Sequence, residues 1–114
     1  MDELKIQKQL RKFCAEREWQ KFHTLKNIAA ALSVEASELL EIFQWMNEEP
    51  DLTSNKEIKE KISDEVADIM LYLLRFTDLA KINLEKACQK KIKKNKKKYP
   101  IHMVKGISTK YNKL

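Results

Sequence analysis

Glycine is nearly missing from this chain, which has one in 114 residues and only two prolines. Those two residue types supply most tight turns and strand boundaries. Their scarcity argues against a many-stranded fold, and the abundance of Lys, Glu, Leu, Ile and Ala favours helices. No apolar run approaches the roughly 18 residues that a membrane span needs. The start, Met1-Asp2-Glu3-Leu4-Lys5, lacks the basic-then-apolar pattern of a secretory signal, so a cytoplasmic location is expected. Cysteine is scarce too: Cys14 and Cys88 form no CxxC pair, which favours free thiols over a disulfide. The length suits one domain, 1–114, of three or four helices around a modest core.

The formal charge of +6 is unevenly spread. Lys86 to Lys98 holds eight lysines and no acid, so the remainder of the chain is net acidic. Such a stretch can be a solvated helix face, a nucleic-acid patch or a phosphate-binding face. Because Lys90, Lys91, Lys93, Lys94, Lys96, Lys97 and Lys98 surround a helix, they cannot all line one groove, and most read as solvated.

Periodicity and capping signals predict an all-α, four-helix bundle. The helices are expected over about 2–17, 24–47, 54–80 and 84–98, followed by an irregular tail over 99–114. Thr24 is a candidate N-cap. Ser54-Asn55-Lys56-Glu57 has the capping-box pattern, Asn83 can cap the last helix, and Tyr99-Pro100 ends it.

Acids interrupt the apolar stripes of the second and third helices at matching positions. Ile28, Leu32, Leu39, Ile42 and Met46 recur at helical spacing, with Glu35 in the slot between Leu32 and Leu39. Ile58, Ile62, Ile69, Tyr72 and Phe76 do the same, with Glu65 in the matching slot. Each intruder has an acidic partner one turn on, giving Glu35-x-x-Glu38 and Glu65-x-x-Asp68, and residues three apart share a helix face. A short connection makes the two helices antiparallel neighbours. Glu35 lies 12 residues before Asn47 and Glu65 lies 11 after Ser54, so at about 1.5 Å per residue the two pairs sit level.

Four ionised carboxylates facing a core repel one another and lose hydration unless positive charge lies between them. A hard divalent cation meets that need. The Glu-x-x-His motifs of di-iron bundles are absent, as is the close His or Cys spacing of zinc sites. Mg2+, with Mn2+ as an alternative, remains. Such ions usually take further ligands from a phosphorylated substrate. Glu35, Glu38, Glu65 and Asp68 are therefore the candidate metal ligands. Glu41, a turn beyond Glu38, can add a ligand, accept a hydrogen bond from metal-bound water, or simply face solvent.

Four segments carry a family resemblance: Trp19-Gln20-Lys21-Phe22-His23; Glu35-Ala36-Ser37-Glu38-Leu39-Leu40-Glu41-Ile42-Phe43-Gln44-Trp45; Asp64-Glu65-Val66-Ala67-Asp68-Ile69-Met70-Leu71-Tyr72; and Lys91 through Tyr99-Pro100. Together they resemble the MazG-like all-α nucleoside triphosphate pyrophosphohydrolases, and within them most resemble the dCTP pyrophosphatase branch. The resemblance implies Mg2+-dependent hydrolysis of a (deoxy)nucleoside triphosphate, dCTP or a related dNTP, to monophosphate and pyrophosphate. It implies that Trp19, His23, Trp45 and Tyr72 surround base and sugar, and that Lys91 and Asn95 contact phosphates. It also implies a MazG-like bundle that assembles as a dimer or dimer of dimers; with no apolar span and most lysines solvated, neither membrane nor nucleic acid is expected as a partner. At Leu10 the chain departs from a histidine that the branch can carry, which leaves the preferred base open. Glu38 or Glu41 is the candidate acceptor of the attacking water's proton. The rival readings are a basic nucleic-acid-binding module and a non-catalytic helical interaction protein.

Overall fold

The computed structural model describes residues 1–107, which are helical with no strand among them. Helix α1 spans Glu3–Glu16, α2 Leu25–Phe43, α3 Lys56–Leu79, α4 Leu84–Lys98 and α5 Ile101–Val104, with a 3-10 turn at Gln20–Phe22. The chain divides into two compact units, Met1–Lys81 with α1 to α3 and the segment from Ile82 with α4 and α5. In the first unit α3 packs along α2 and also against α1.

Side-chain caps fix the helix starts. Asp2, Thr24, Asn55 and Asn83 each accept a hydrogen bond from the backbone N–H three residues on, satisfying a donor that the helix leaves orphaned. The capping box expected at Ser54 is therefore displaced by one residue. Asn55 caps α3, accepting from the Ile58 N–H, while the Ser54 hydroxyl donates back to the Asp51 carbonyl. Helix α2 also stops at Phe43 rather than near Asn47, where the Met46 N–H turns back to the Phe43 carbonyl. The expected irregular tail instead begins with α5, whose N-cap is Pro100; residues 108–114 of that tail lie outside the described residues.

Helix α1 ends in a sharp reversal of the chain. The Trp19 N–H donates to the Cys14 carbonyl and the Glu18 N–H to the Ala15 carbonyl, while Glu18 sits at φ 54°. That is a Schellman stop with glutamate where glycine is usual. It delivers Trp19 back beside α1, its ring edge-on to Phe13 at 5.6 Å.

Few side chains are fully buried. Ile28 and Leu74 are 1% and 0% exposed, joined by Cys14. Both cysteines are free thiols. A polar lock ties α1 to α3: buried Gln7 Nε2 donates to the Leu74 carbonyl at 3.1 Å and to Thr77 Oγ1 at 3.3 Å. One turn further, Arg11 grips Asp78 with two hydrogen bonds of 2.7 and 2.6 Å.

Leu74→Ala is expected to lower stability by about 2–5 kcal/mol through lost burial and a residual cavity. Glu18→Gly is expected to raise it by ~0.5–1 kcal/mol, because glycine occupies the left-handed region without a Cβ clash. Urea midpoints at one fixed protein concentration check both directions.

Candidate functional site

Helix α2 turns Ile28, Leu32, Leu39 and Ile42 toward α3, so Glu35 and Glu38 emerge along the packed seam rather than on the outer surface. Both, like Glu65 opposite, are half-buried. With the observed helix bounds, Glu35 lies eight residues before the end of α2 and Glu65 nine after the start of α3. The two remain level because both helix ends moved inward together. One carboxylate oxygen from each of Glu35, Glu38 and Glu65 lies within 4.8 Å of the others. Glu35 Oε2 and Glu65 Oε2 are buried and have no hydrogen-bond partner.

The cluster is electrostatically uncomfortable by itself. Glu35 is pushed from its ordinary 4.5 up to about 7, first by burial and then by Glu65 and Glu38. Glu65 is also raised, again mainly by burial, with the Glu38 and Asp68 charges adding to it. Buried carboxylates with unpartnered oxygens are costly, and an all-oxygen donor set of this kind fits a hard cation such as Mg2+ or Mn2+. Asp68, the fourth expected ligand, stands one turn further along α3, exposed and outside the three-oxygen convergence. Its charge still reaches Glu35 and Glu65.

The cluster lies between two hollows of different character. On one side Glu35 and Asp68 help line a cavity of ≈ 270 Å³ walled by Leu10, Phe13, Cys14, Trp19, His23, Leu71, Tyr72 and Arg75. On the other, Glu38 and Glu65 help line an open cleft of ≈ 550 Å³ with Glu41, Asp64, Lys61, Ile42, Met46 and Ile58. The first hollow is aromatic and suits a flat ring. The second is acidic, with one lysine among its lining residues.

Of the expected base-contacting residues, Trp19, His23 and Tyr72 come together in the aromatic cavity. Burial, followed by the Glu35 and Asp68 charges, raises the Tyr72 phenol above its usual range, so it stays protonated and can donate. Trp45 is in the turn after α2, 87% exposed and in the wall of neither hollow. Glu41 joins Glu38 in the acidic cleft. Lys91 and Asn95 stand one turn apart on α4, in the second unit. There Lys91 is drawn below its ordinary value, first by the neighbouring Lys98 charge.

Arg75 is the cavity residue that sequence reasoning passed over. It is buried, and its Nε donates to His23 Nδ1 at 3.2 Å. A signal was present: a lone cation one turn after Tyr72, inside the apolar run from Leu71 to Phe76, has to find a polar partner. Phe13, Cys14 and Leu71 were also missed, because on their stripes they look like ordinary core.

A family model described as the MazG-like family matches residues 30–114. Curated relatives include dCTP pyrophosphatase 1 of Bos taurus, 35% identical over 105 residues that cover 90% of this chain and 62% of that protein. The Homo sapiens dCTP pyrophosphatase 1 is 33% identical over 105 residues, 90% of this chain and 61% of that protein. The chain thus spans about 62% of the length of the first of these relatives. Among solved structures, a pyrophosphatase from Archaeoglobus fulgidus superposes with a TM-score of 0.68 at 42% identity, covering 80% of this chain and 85% of that one.

The raised Glu35 gives the metal-free protein an unusual pH dependence. Between 4.5 and about 7 the folded chain holds a proton that the unfolded chain has released. Stability should therefore fall as pH rises through that window. A divalent cation binds only the deprotonated carboxylates, so its stabilising effect should grow over the same range. Melting temperatures in chelator and in Mg2+ from pH 4.5 to 8 check this. Curves that stay parallel would count against a cation at the cluster.

Proposed function

Because the chain belongs to the MazG-like family, we propose that it is a nucleotide pyrophosphohydrolase. It hydrolyses a (deoxy)nucleoside triphosphate, dCTP or a related dNTP, to the monophosphate and pyrophosphate, using Mg2+ (or Mn2+) and clearing unwanted nucleotides from the cytoplasmic pool. One observation carries the reading: half-buried carboxylate oxygens of Glu35, Glu38 and Glu65 converge within 4.8 Å, with two oxygens left without partners. Likeness to proteins named dCTP pyrophosphatase supports the same substrate class.

Glu35, Glu38 and Glu65 would hold the metal, with Asp68 joining as a further ligand. When bound, the metal supplies charge neutralisation for the phosphates and a Lewis acid at the reacting phosphoryl group. The remaining work belongs to the side chains. Trp19 stacks on the base, and His23 and Tyr72 hydrogen-bond around base and sugar. Trp45, in the turn after α2, would join them around base and sugar, as the family resemblance implies. Lys91 adds positive charge and Asn95 a donor to the phosphates, and an anion beside Lys91 relieves the crowding of like charge on α4. Water attacks the α-phosphorus in line and the bond to the β-phosphate oxygen breaks. The water's proton passes to Glu38 or to Glu41, whose carboxylates share the acidic cleft.

A homo-oligomer, a dimer or a dimer of dimers, completes the proposal. Leu40 is 66% exposed, and Val34 and Val66 are exposed too. Exposed apolar side chains on the paired helices suit burial against a second copy.

A panel of common and modified dNTPs and NTPs, assayed with Mg2+ for monophosphate and pyrophosphate together, tests the reaction. Both products should appear with at least one dNTP, and Glu65→Gln or Glu35→Gln should lower turnover on the order of a hundredfold or more. Diphosphate plus orthophosphate, or no turnover at all, would overturn the assignment. Trp19→Ala should raise KM roughly tenfold with a smaller change in kcat, as expected for a lost stacking platform. Sedimentation at micromolar concentration should show at least a dimer.

A further inference from the structure

The aromatic cavity contains a polar contact that its proposed role leaves unexplained. Arg75 is buried on α3, and its Nε–H donates to His23 Nδ1 at 3.2 Å. A guanidinium carries donors and no acceptor, and it stays charged in proteins. A ring nitrogen facing it at that distance has to offer a lone pair. Nδ1 is therefore unprotonated, and the proton of the neutral imidazole sits on Nε2. Among the described residues, Nε2 has no protein partner of its own, while His23 lines the cavity beside Trp19 and Tyr72.

Both members of the pair are held from behind. Asp78 Oδ2 lies 3.9 Å from Arg75 Nη1, and the same carboxylate is clamped by Arg11 from α1. His23 ends the 3-10 turn, where its backbone N–H donates to the Gln20 carbonyl. Asn27 Nδ2 donates to the Phe22 carbonyl at 2.9 Å, and Thr24 caps α2. The ring is thus anchored through its backbone on one side and through Nδ1 on the other.

We infer that Arg75 is a positioning residue: it locks His23 as the Nε2–H tautomer, so that the cavity presents a fixed hydrogen-bond donor to an acceptor atom on the base of a bound nucleotide. The inference rests on the proposed nucleotide reading for its ligand, but not for the tautomer. A protonated imidazole would face the guanidinium charge-to-charge with no lone pair to offer. Burial and the Arg75 charge accordingly hold His23 below its ordinary value, consistent with a neutral donor. A carbonyl oxygen or unprotonated ring nitrogen on the base is the complement of that N–H. A base edge carrying only donors has none to offer.

Two experiments test this, the first without substrate. In nitrogen-15 spectra of the histidine side chains, with His23 assigned by its loss in His23→Leu, the ligand-free protein should show a protonated Nε2 and an unprotonated Nδ1. Arg75→Met should blur that pattern toward rapid tautomer averaging. A wild-type Nδ1–H signal would overturn the inference. The second is a double-mutant cycle on the best dNTP substrate. Arg75→Met should raise KM about fivefold with kcat little changed. It should add nothing in the His23→Leu background, and it should have no effect on an abasic deoxyribose triphosphate. Effects that add, or that persist with the abasic compound, would mark Arg75 as scaffold only and overturn its positioning role. If the wild type hydrolyses no nucleotide, the functional reading fails, and the His23 spectra alone decide the tautomer lock.

Discussion

The repulsion among three carboxylates on one helix seam is the constraint around which the rest of the first unit is organised. Removing a carboxylate from water without a partner costs several kcal/mol, yet Glu35 and Glu65 each keep an oxygen buried and unpartnered. The chain cannot relieve this by letting the helices part, because α3 packs along α2 over much of their length. It can relieve it only by holding a proton, as the raised Glu35 does, or by accepting a cation. A site that is uncomfortable without a cation and far less charged with one is suited to a ligand that arrives with a metal. Instability at the centre is then part of the binding chemistry and not a defect of packing.

That arrangement needs a frame stiff enough to keep the acids together, and the apolar core alone is small for the task. Ile28, Leu74 and Cys14 are the fully buried apolar residues among those described. Polar contacts make up the difference between α1 and α3. Gln7 is satisfied by the Leu74 carbonyl and Thr77, and Arg11 by a two-pronged grip on Asp78. The Asp78 carboxylate is mostly buried, and it is held below its ordinary value, chiefly through its hydrogen bond with Arg11. Buried polar groups satisfied in this way specify one register between helices, since sliding by a turn would strand them. The same α1–α3 seam holds the aromatic cavity, so register and ligand geometry depend on the same residues.

Much of this was legible in the sequence because helices announce themselves by period and by caps. The stripes through Ile28 and Ile58, the caps at Thr24 and Asn83, and the level placement of Glu35 and Glu65 all arise from local rules. What stayed hidden depended on competition between local rules or on tertiary partners. Ser54 and Asn55 were both fit to cap α3, and the turn from Asp51 to Ser54 places Asn55 at the cap position. No glycine or proline marks the end of α2 at Phe43, so the stripe read on to Met46 overran it. After Pro100, Ile101–Val104 form a helical turn that is too short to show a period. Asp68 lies one turn from Glu65, as the motif requires, but a shared helix face does not ensure convergence on a single point. Arg75 showed only as a lone cation in an apolar run; its partner, His23, is distant in sequence and could not be read from it.

The division of labour across the acid cluster comes from these positions. Glu35 and Asp68 look into an aromatic cavity, and Glu38 and Glu65 into an acidic cleft with a lysine in its wall. A molecule that is flat and apolar at one end and multiply charged at the other would span the cluster with each end in a matching medium. A nucleotide is such a molecule. Its phosphates alone would be repelled by the carboxylates, and its base alone would leave them unneutralised. On the proposed reading, selectivity for the whole ligand would arise from the cluster's own charge, because only a ligand bringing both a ring and a cation-binding chain would satisfy the two hollows and the orphaned oxygens at once.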